Sequence, residues 1–244
     1  MGDVNIATDE HVAVITLPEV MTGESAFDLR DACLHVRRDV ETWVVVLVVS
    51  VFSGAGRNDV RELDAGALEG KRIADSVAAI EKPVVAAVLG DATDQVLELA
   101  LACDVRIASD ASRFGLTQIM DGLVPWDGGT QRLPRLVGRS RAMEMVLLAR
   151  VLEAPEALEI GLVNETVSPD MVVARAREMA QLIAGHGPIA ARYLKEAILN
   201  GADLTLDQGL RLEADLNLLL QTTTDRAEGV GSFLERRRPD YRGD

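Results

Sequence analysis

The chain has 244 residues, 48% of them hydrophobic and 26% charged, a balance that supports a large buried core and excludes a mostly disordered polypeptide. Its net charge of −14 argues against nonspecific nucleic-acid binding, which needs a positive face to displace counterions from phosphate. Cys33 and Cys103 sit in apolar stretches and read as buried free thiols in a reducing, cytoplasmic setting. The scattered His11, His35 and His186 have no metal-ligand spacing, and no apolar run reaches the ~18 residues of a membrane span.

Residues 11–17 read as a half-buried strand ending at Pro18. Ala26, Leu29, Cys33 and Val36 recur at helical spacing. The β-branched run at 43–49 has the pattern of a strand covered on both faces. Ile73, Val77 and Ile80 mark a second helix, which Lys82-Pro83 separates from an apolar strand at 84–89. A short helix at 96–103 and a strand at 105–108 follow. Strands alternating with helices predict parallel pairing through right-handed crossovers. From Arg139 the pattern turns helical, with windows at 139–149, 155–160, 169–184, 188–200 and 204–222. Gly161 is placed to end the second of these, and proline opens three of them. The layout is an α/β core over residues 1–190 followed by a helical C-terminal region at 191–244.

That layout alone says little about chemistry. The ordered segments KPVVAAVLGDATDQVLELALACD, GGTQRLPRLVG and EALEIGLVN between Lys82 and Asn164, with FLERRRP near the end, are more specific. They resemble the crotonase (enoyl-CoA hydratase/isomerase) family, from the HVAVITL strand to Arg238. The resemblance implies a crotonase-type β/α spiral core with a helical C-terminal region that forms trimers, often paired as dimers of trimers. It also implies an acyl-CoA substrate whose thioester carbonyl sits between two backbone N–H donors, which stabilise an enolate oxygen. No metal or separate cofactor is expected, since coenzyme A enters as part of the substrate. Neither nucleic acid nor membrane is expected as a partner.

Hydratases of the family use two glutamates. The first position is Glu98; the second, twenty residues on, is Gln118. An amide orients a water but does not accept its proton near neutral pH. Glu98 is thus either a single acid/base, as in a proton-moving isomerase, or merely a solvated or paired helix carboxylate. The family's triple-glycine oxyanion turn falls on Asp94-Gln95-Val96, placing one donor at the Gln95 N–H and side chains where glycines are usual. Asp94 itself reads equally as a cap of the following helix. The second donor falls in SVFSGAGRNDVREL, at Asn58 if DVREL is matched and at Gly56 if FSGAG is matched.

Where relatives read PGAGG, this chain has Pro125-Trp126-Asp127-Gly128-Gly129. Asp127 is a candidate acid, base or nucleophile, with Trp126 lining an acyl pocket and desolvating it. Alternatively, Asp127 caps the helix that starts at Gly128-Gly129. Phe233 and Arg236 match the family's terminal pattern for the nucleotide end of coenzyme A, while LPEVMTGES lacks the basic residue usual near the start. Two readings stay open: an enolate-forming enzyme, or a catalytically inactive acyl-CoA-binding or structural homologue.

Overall fold

The computed structural model describes residues 4–19, 21, 23–50 and 72–244. Asn58 and Gly56 lie outside the described residues.

A six-stranded sheet runs in the order β1 (Asn5–Asp9), β2 (Val12–Thr16), β3 (Val44–Val49), β4 (Val84–Val88), β6 (Val105–Ser109) and β9 (Glu165–Val167). β1 pairs antiparallel with β2 and every other neighbour is parallel, as the alternation of strands and helices predicts. β3 reads VVVLVV and is buried at every position, because helices cover both faces. On one face Ala13, Val45, Leu47 and Ala86 pack in one core with residues of α1 (Gly23–Arg38), α2 (Ala74–Ala78) and α3 (Gln95–Leu101). On the other, Val14, Val46, Val85 and Ala87 pack with Val172, Ala176 and Ala180 of α7 (Val172–Ala184). Those three recur every fourth residue, one stripe of a helix, and the two alanines let it sit close to the sheet.

A second sheet holds β5 (Ala92–Thr93), β7 (Arg113–Gly115) and β8 (Leu152–Glu153). Around it lie α4 (Gly129–Val137), α5 (Arg139–Leu147) and α6 (Ala154–Glu159). The C-terminal region comprises α8 (Pro188–Gly201), α9 (Leu206–Leu220) and α10 (Thr224–Glu235). The 190/191 division falls in the first turns of α8. α10 ends before the arginine run, with Arg236 in a left-handed conformation. Among the described residues no helix is long and apolar enough to cross a membrane.

Two buried cations tie strands to neighbouring elements. Lys82 Nζ donates to the Val36 and Asp39 carbonyls, each at 2.5 Å, closing the end of α1 onto the start of β4. Arg106 on β6 donates to the Leu162 carbonyl at 2.8 Å and the Cys103 carbonyl at 2.7 Å. Arg106→Met strands both carbonyls in the interior, at roughly 1–3 kcal/mol each. It is expected to destabilise the fold by about 2–5 kcal/mol in urea denaturation; a change under about 0.5 kcal/mol, typical of surface sites, would refute this.

Candidate active site

The route into the site begins where β4 ends. The chain makes the short β5 and turns at Asp94 (φ 53°, ψ −123°), after which α3 has all seven residues buried. Glu98 lies in its first turn with no solvent exposure, so its carboxyl group must find partners inside the protein. Oε1 accepts the backbone N–H groups of Asp127 and Gly129, both at 2.8 Å. Oε2 accepts from Gln118 Nε2 at 3.3 Å. Burial pushes the Glu98 carboxyl up to about 7, the two backbone donors oppose that rise, and the charges of Asp127 and Asp94 add to it. A carboxyl that titrates there exchanges a proton at neutral pH.

Gln118 opens a 3₁₀ turn (Gln118–Asp121) and is itself buried. Its Oε1 has no hydrogen-bond donor among the described residues.

The donors on Glu98 come from the turn ahead of α4, and two glycines make that turn possible. Gly128 has φ +105°, which strains any other residue. At Gly129 a Cβ would lie 3.0 Å from Glu98 Oε1 and 2.9 Å from Leu116 Cδ1. The close approach of main chain to carboxylate requires a hydrogen there.

Asp127 is fully buried and does not cap α4, whose N-cap position is taken by Gly128. Its carboxylate reaches across to α2. It accepts the N–H groups of Ile73 at 3.0 Å and Ala74 at 3.2 Å, and Gln95 Nε2 at 3.1 Å. Burial pushes its carboxyl upward, against those donors. Asp94 does occupy the N-cap position of α3, where its carbonyl accepts the Glu98 N–H at 3.0 Å, but its side chain makes no cap bond. Its N–H donates to the Gly115 carbonyl at 2.8 Å, and its carboxylate accepts the Thr117 N–H at 2.6 Å and the Thr117 hydroxyl at 3.0 Å. The charge is thus drawn toward the strand that leads to Gln118. Neither aspartate side chain caps its helix, for one reason: a partner distant in sequence outcompetes the local amides.

Four of the candidates, Glu98, Gln118, Asp127 and Gln95, therefore join in one buried network. Trp126 is half-buried beside it in the chain. Phe233, 80% exposed, and Arg236, also exposed, stand at the far end of α10. Sequence reading missed Thr117 and Arg132, both parts of the network's support; the GGT run at 128–130 was the available signal that the backbone comes close to something.

The parallel sheet thus leads into a short buried helix whose carboxylate is clamped by main-chain N–H groups, an ionisable group set inside a β/α spiral. The enoyl-CoA hydratase/isomerase family profile matches residues 8–244, and the chain belongs to that family. It is 34% identical to the crotonyl-CoA hydratase of Syntrophomonas wolfei, over 96% of this chain and 95% of that one. It is 40% identical to the 2,3-dehydroadipyl-CoA hydratase of Escherichia coli strain K12, over 78% of this chain and 76% of that one. Among solved structures, an enoyl-CoA hydratase from Bacillus anthracis superposes with a TM-score of 0.94 at 34% identity, covering all of both chains. The crotonase fold implied by the sequence segments is the fold observed.

Proposed function

We propose that this chain binds an acyl-CoA thioester and performs enoyl-CoA hydratase/isomerase-type chemistry through an enolate, with Glu98 as the single proton-transfer carboxylate. The observation that carries the reading is Glu98 itself, fully buried, clamped by two backbone N–H groups and titrating near 7. In hydration, Glu98 takes a proton from water as its oxygen bonds to the β-carbon, and the π electrons move onto the thioester oxygen as an enolate. Glu98 then returns the proton to the α-carbon, so that water is added overall. In isomerisation the same carboxylate moves one proton from the γ- to the α-carbon. The Gln95 N–H, with that of Asn58 or Gly56, supplies the oxyanion donors, and Gln118 orients the water. Trp126 lines the acyl end. Phe233 and Arg236 take the nucleotide end, where a planar guanidinium suits a phosphate.

The reading requires no metal and no cofactor beyond the coenzyme A of the substrate, and it fits a cytoplasmic protein. Residues 191–244 act as the oligomerisation region of a trimer or dimer of trimers. Leu194, Ile198, Leu206, Leu210 and Leu218, each at least 55% exposed, support that role, because apolar side chains in such number on one region favour a partner surface. An inactive acyl-CoA-binding homologue is the second reading, favoured by the amide at Gln118 and by Asp94 in the oxyanion turn at φ 53°.

The test is steady-state hydration of crotonyl-CoA with Glu98→Gln as control. A rate that vanishes in the control supports the enzyme; no rate above the control in either crotonyl-CoA hydration or 3-enoyl-CoA isomerisation favours the binding reading. Gln118→Glu is expected to raise hydration by less than about 10-fold, short of the ~10²–10⁴-fold of a well-placed general acid. A second carboxyl about 3.3 Å from Glu98 Oε2 would share one proton with it, and Asp94 would remain in the oxyanion turn. Full activity in this variant would show that the lost glycines do not matter.

A further inference from the structure

Asp127 takes no part in the proton transfer set out above, yet the residue is held on every side. Its carboxylate gathers the Ile73 and Ala74 N–H groups and the Gln95 side-chain amide. Its carbonyl accepts Arg132 Nη1 at 2.9 Å, and Arg132 Nη2 pairs with Asp75 of α2 at 3.0 Å. The Asp127 N–H is left facing Glu98 Oε1 at 2.8 Å, joined by the N–H of Gly129. Side chain and carbonyl both fasten this residue to the start of α2, while its N–H is what Glu98 receives.

We infer that Asp127 is a positioning residue, whose carboxylate fixes the turn before α4 against the start of α2 and thereby holds the two backbone N–H groups that orient Glu98. The role rests on Glu98 being the proton-transfer group proposed above. An acid/base or nucleophilic role would draw the Asp127 carboxylate away from three donors it already holds, the Ile73 and Ala74 N–H groups and Gln95 Nε2, which is costly in the interior. Among the described residues, the charges of Asp127 and Asp94 bear on Glu98, and Asp75, Arg132 and Glu98 itself face Asp127.

The test compares Asp127→Asn with Asp127→Ala in protein carrying ¹³C-carboxyl glutamate, with Glu98→Gln identifying the Glu98 signal. Both variants remove the charge, but only asparagine keeps an oxygen for the Ile73 and Ala74 amides. Their difference therefore isolates positioning from electrostatics. Glu98 is expected to titrate about one pH unit higher in the alanine variant than in the asparagine variant, because slackened donors stabilise its carboxylate less. For crotonyl-CoA, kcat is expected to fall about 10²-fold with alanine and less than about 10-fold with asparagine, with KM within about 3-fold in both. Equal loss of kcat in the two with equal Glu98 titrations would make Asp127 a chemical participant and overturn the assignment. Equal titrations with unimpaired turnover would overturn it too. If the wild-type chain turns over no substrate, the catalytic reading fails while the titration difference still decides the positioning. If the alanine variant does not fold, Arg132→Gln takes its place, and a Glu98 titration unmoved from wild type there refutes the clamp.

Discussion

Glu98→Gln is expected to lower the kcat for crotonyl-CoA by about 10²–10⁴-fold while leaving the fold intact. The side chains have nearly the same shape. A glutamine oxygen can still accept the Asp127 and Gly129 N–H groups that lie 2.8 Å from Oε1, and its nitrogen can face Gln118 once that amide turns over. What is lost is the proton site. In the wild type the first step needs the ionised carboxylate, so kcat/KM is expected to rise with pH through about 7 and then level. The variant loses that limb along with the rate.

Stability carries the opposite sign. The carboxyl rises from its ordinary 4.5 to about 7 on folding, so between those values the folded chain binds more protons than the unfolded one. The stabilisation from this group is full below pH 4.5 and is lost as pH rises through about 7. Urea melts of wild type and Glu98→Gln should therefore diverge across that window, with wild type losing stability relative to the variant as pH increases. Parallel curves would show that folding does not raise the Glu98 carboxyl, and a variant with undiminished kcat would remove Glu98 from the chemistry.

The sheet centre was legible because its residues leave no alternative. A run such as VVVLVV at 44–49 is too apolar for an edge and too β-branched for a helix. The elements that escaped are short or exposed. β1 reads NIATD with four of its five residues exposed, so it has little apolar alternation to read. β5 and β8 have two residues each and β7 has three, below the length at which any periodicity is visible. At the site, family position identified Glu98 but could not show who holds it. Asp127 binds an amide 54 positions away and Asp94 binds one 23 positions away. Capping rules look only a few residues ahead, so the local side-chain cap they offered each aspartate as one of two readings could not compete with these distant partners. The buried tertiary partners won because each leaves fewer amides unpaired in the interior.

Gly129→Ala turns the close approach at Glu98 into a measurable contact. Gly129 is the first residue of α4 and has no positive φ, so alanine suits the backbone and gains helix propensity of about 1 kcal/mol. The new methyl, however, meets Leu116 Cδ1 at 2.9 Å, Glu98 Oε1 at 3.0 Å and Glu98 Cγ at 3.1 Å, and both neighbours are fully buried. Overpacking of this kind costs about 1–3 kcal/mol, so the net loss of stability is small. The displaced carboxylate matters more. A shift near 1 Å at a reacting group costs on the order of 10²-fold in rate, and that loss should fall on kcat. Gly138→Ala is the informative companion. Gly138 has φ +80° with nothing within 4 Å of its would-be Cβ, so alanine there carries backbone strain of about 1–3 kcal/mol far from any reacting group. The two variants should rank in opposite order, Gly138→Ala losing more in thermal stability and Gly129→Ala losing more in kcat. If kcat instead follows stability in both, the hydrogen at Gly129 serves only the fold, and the main chain need not lie close to Glu98 for the site to work.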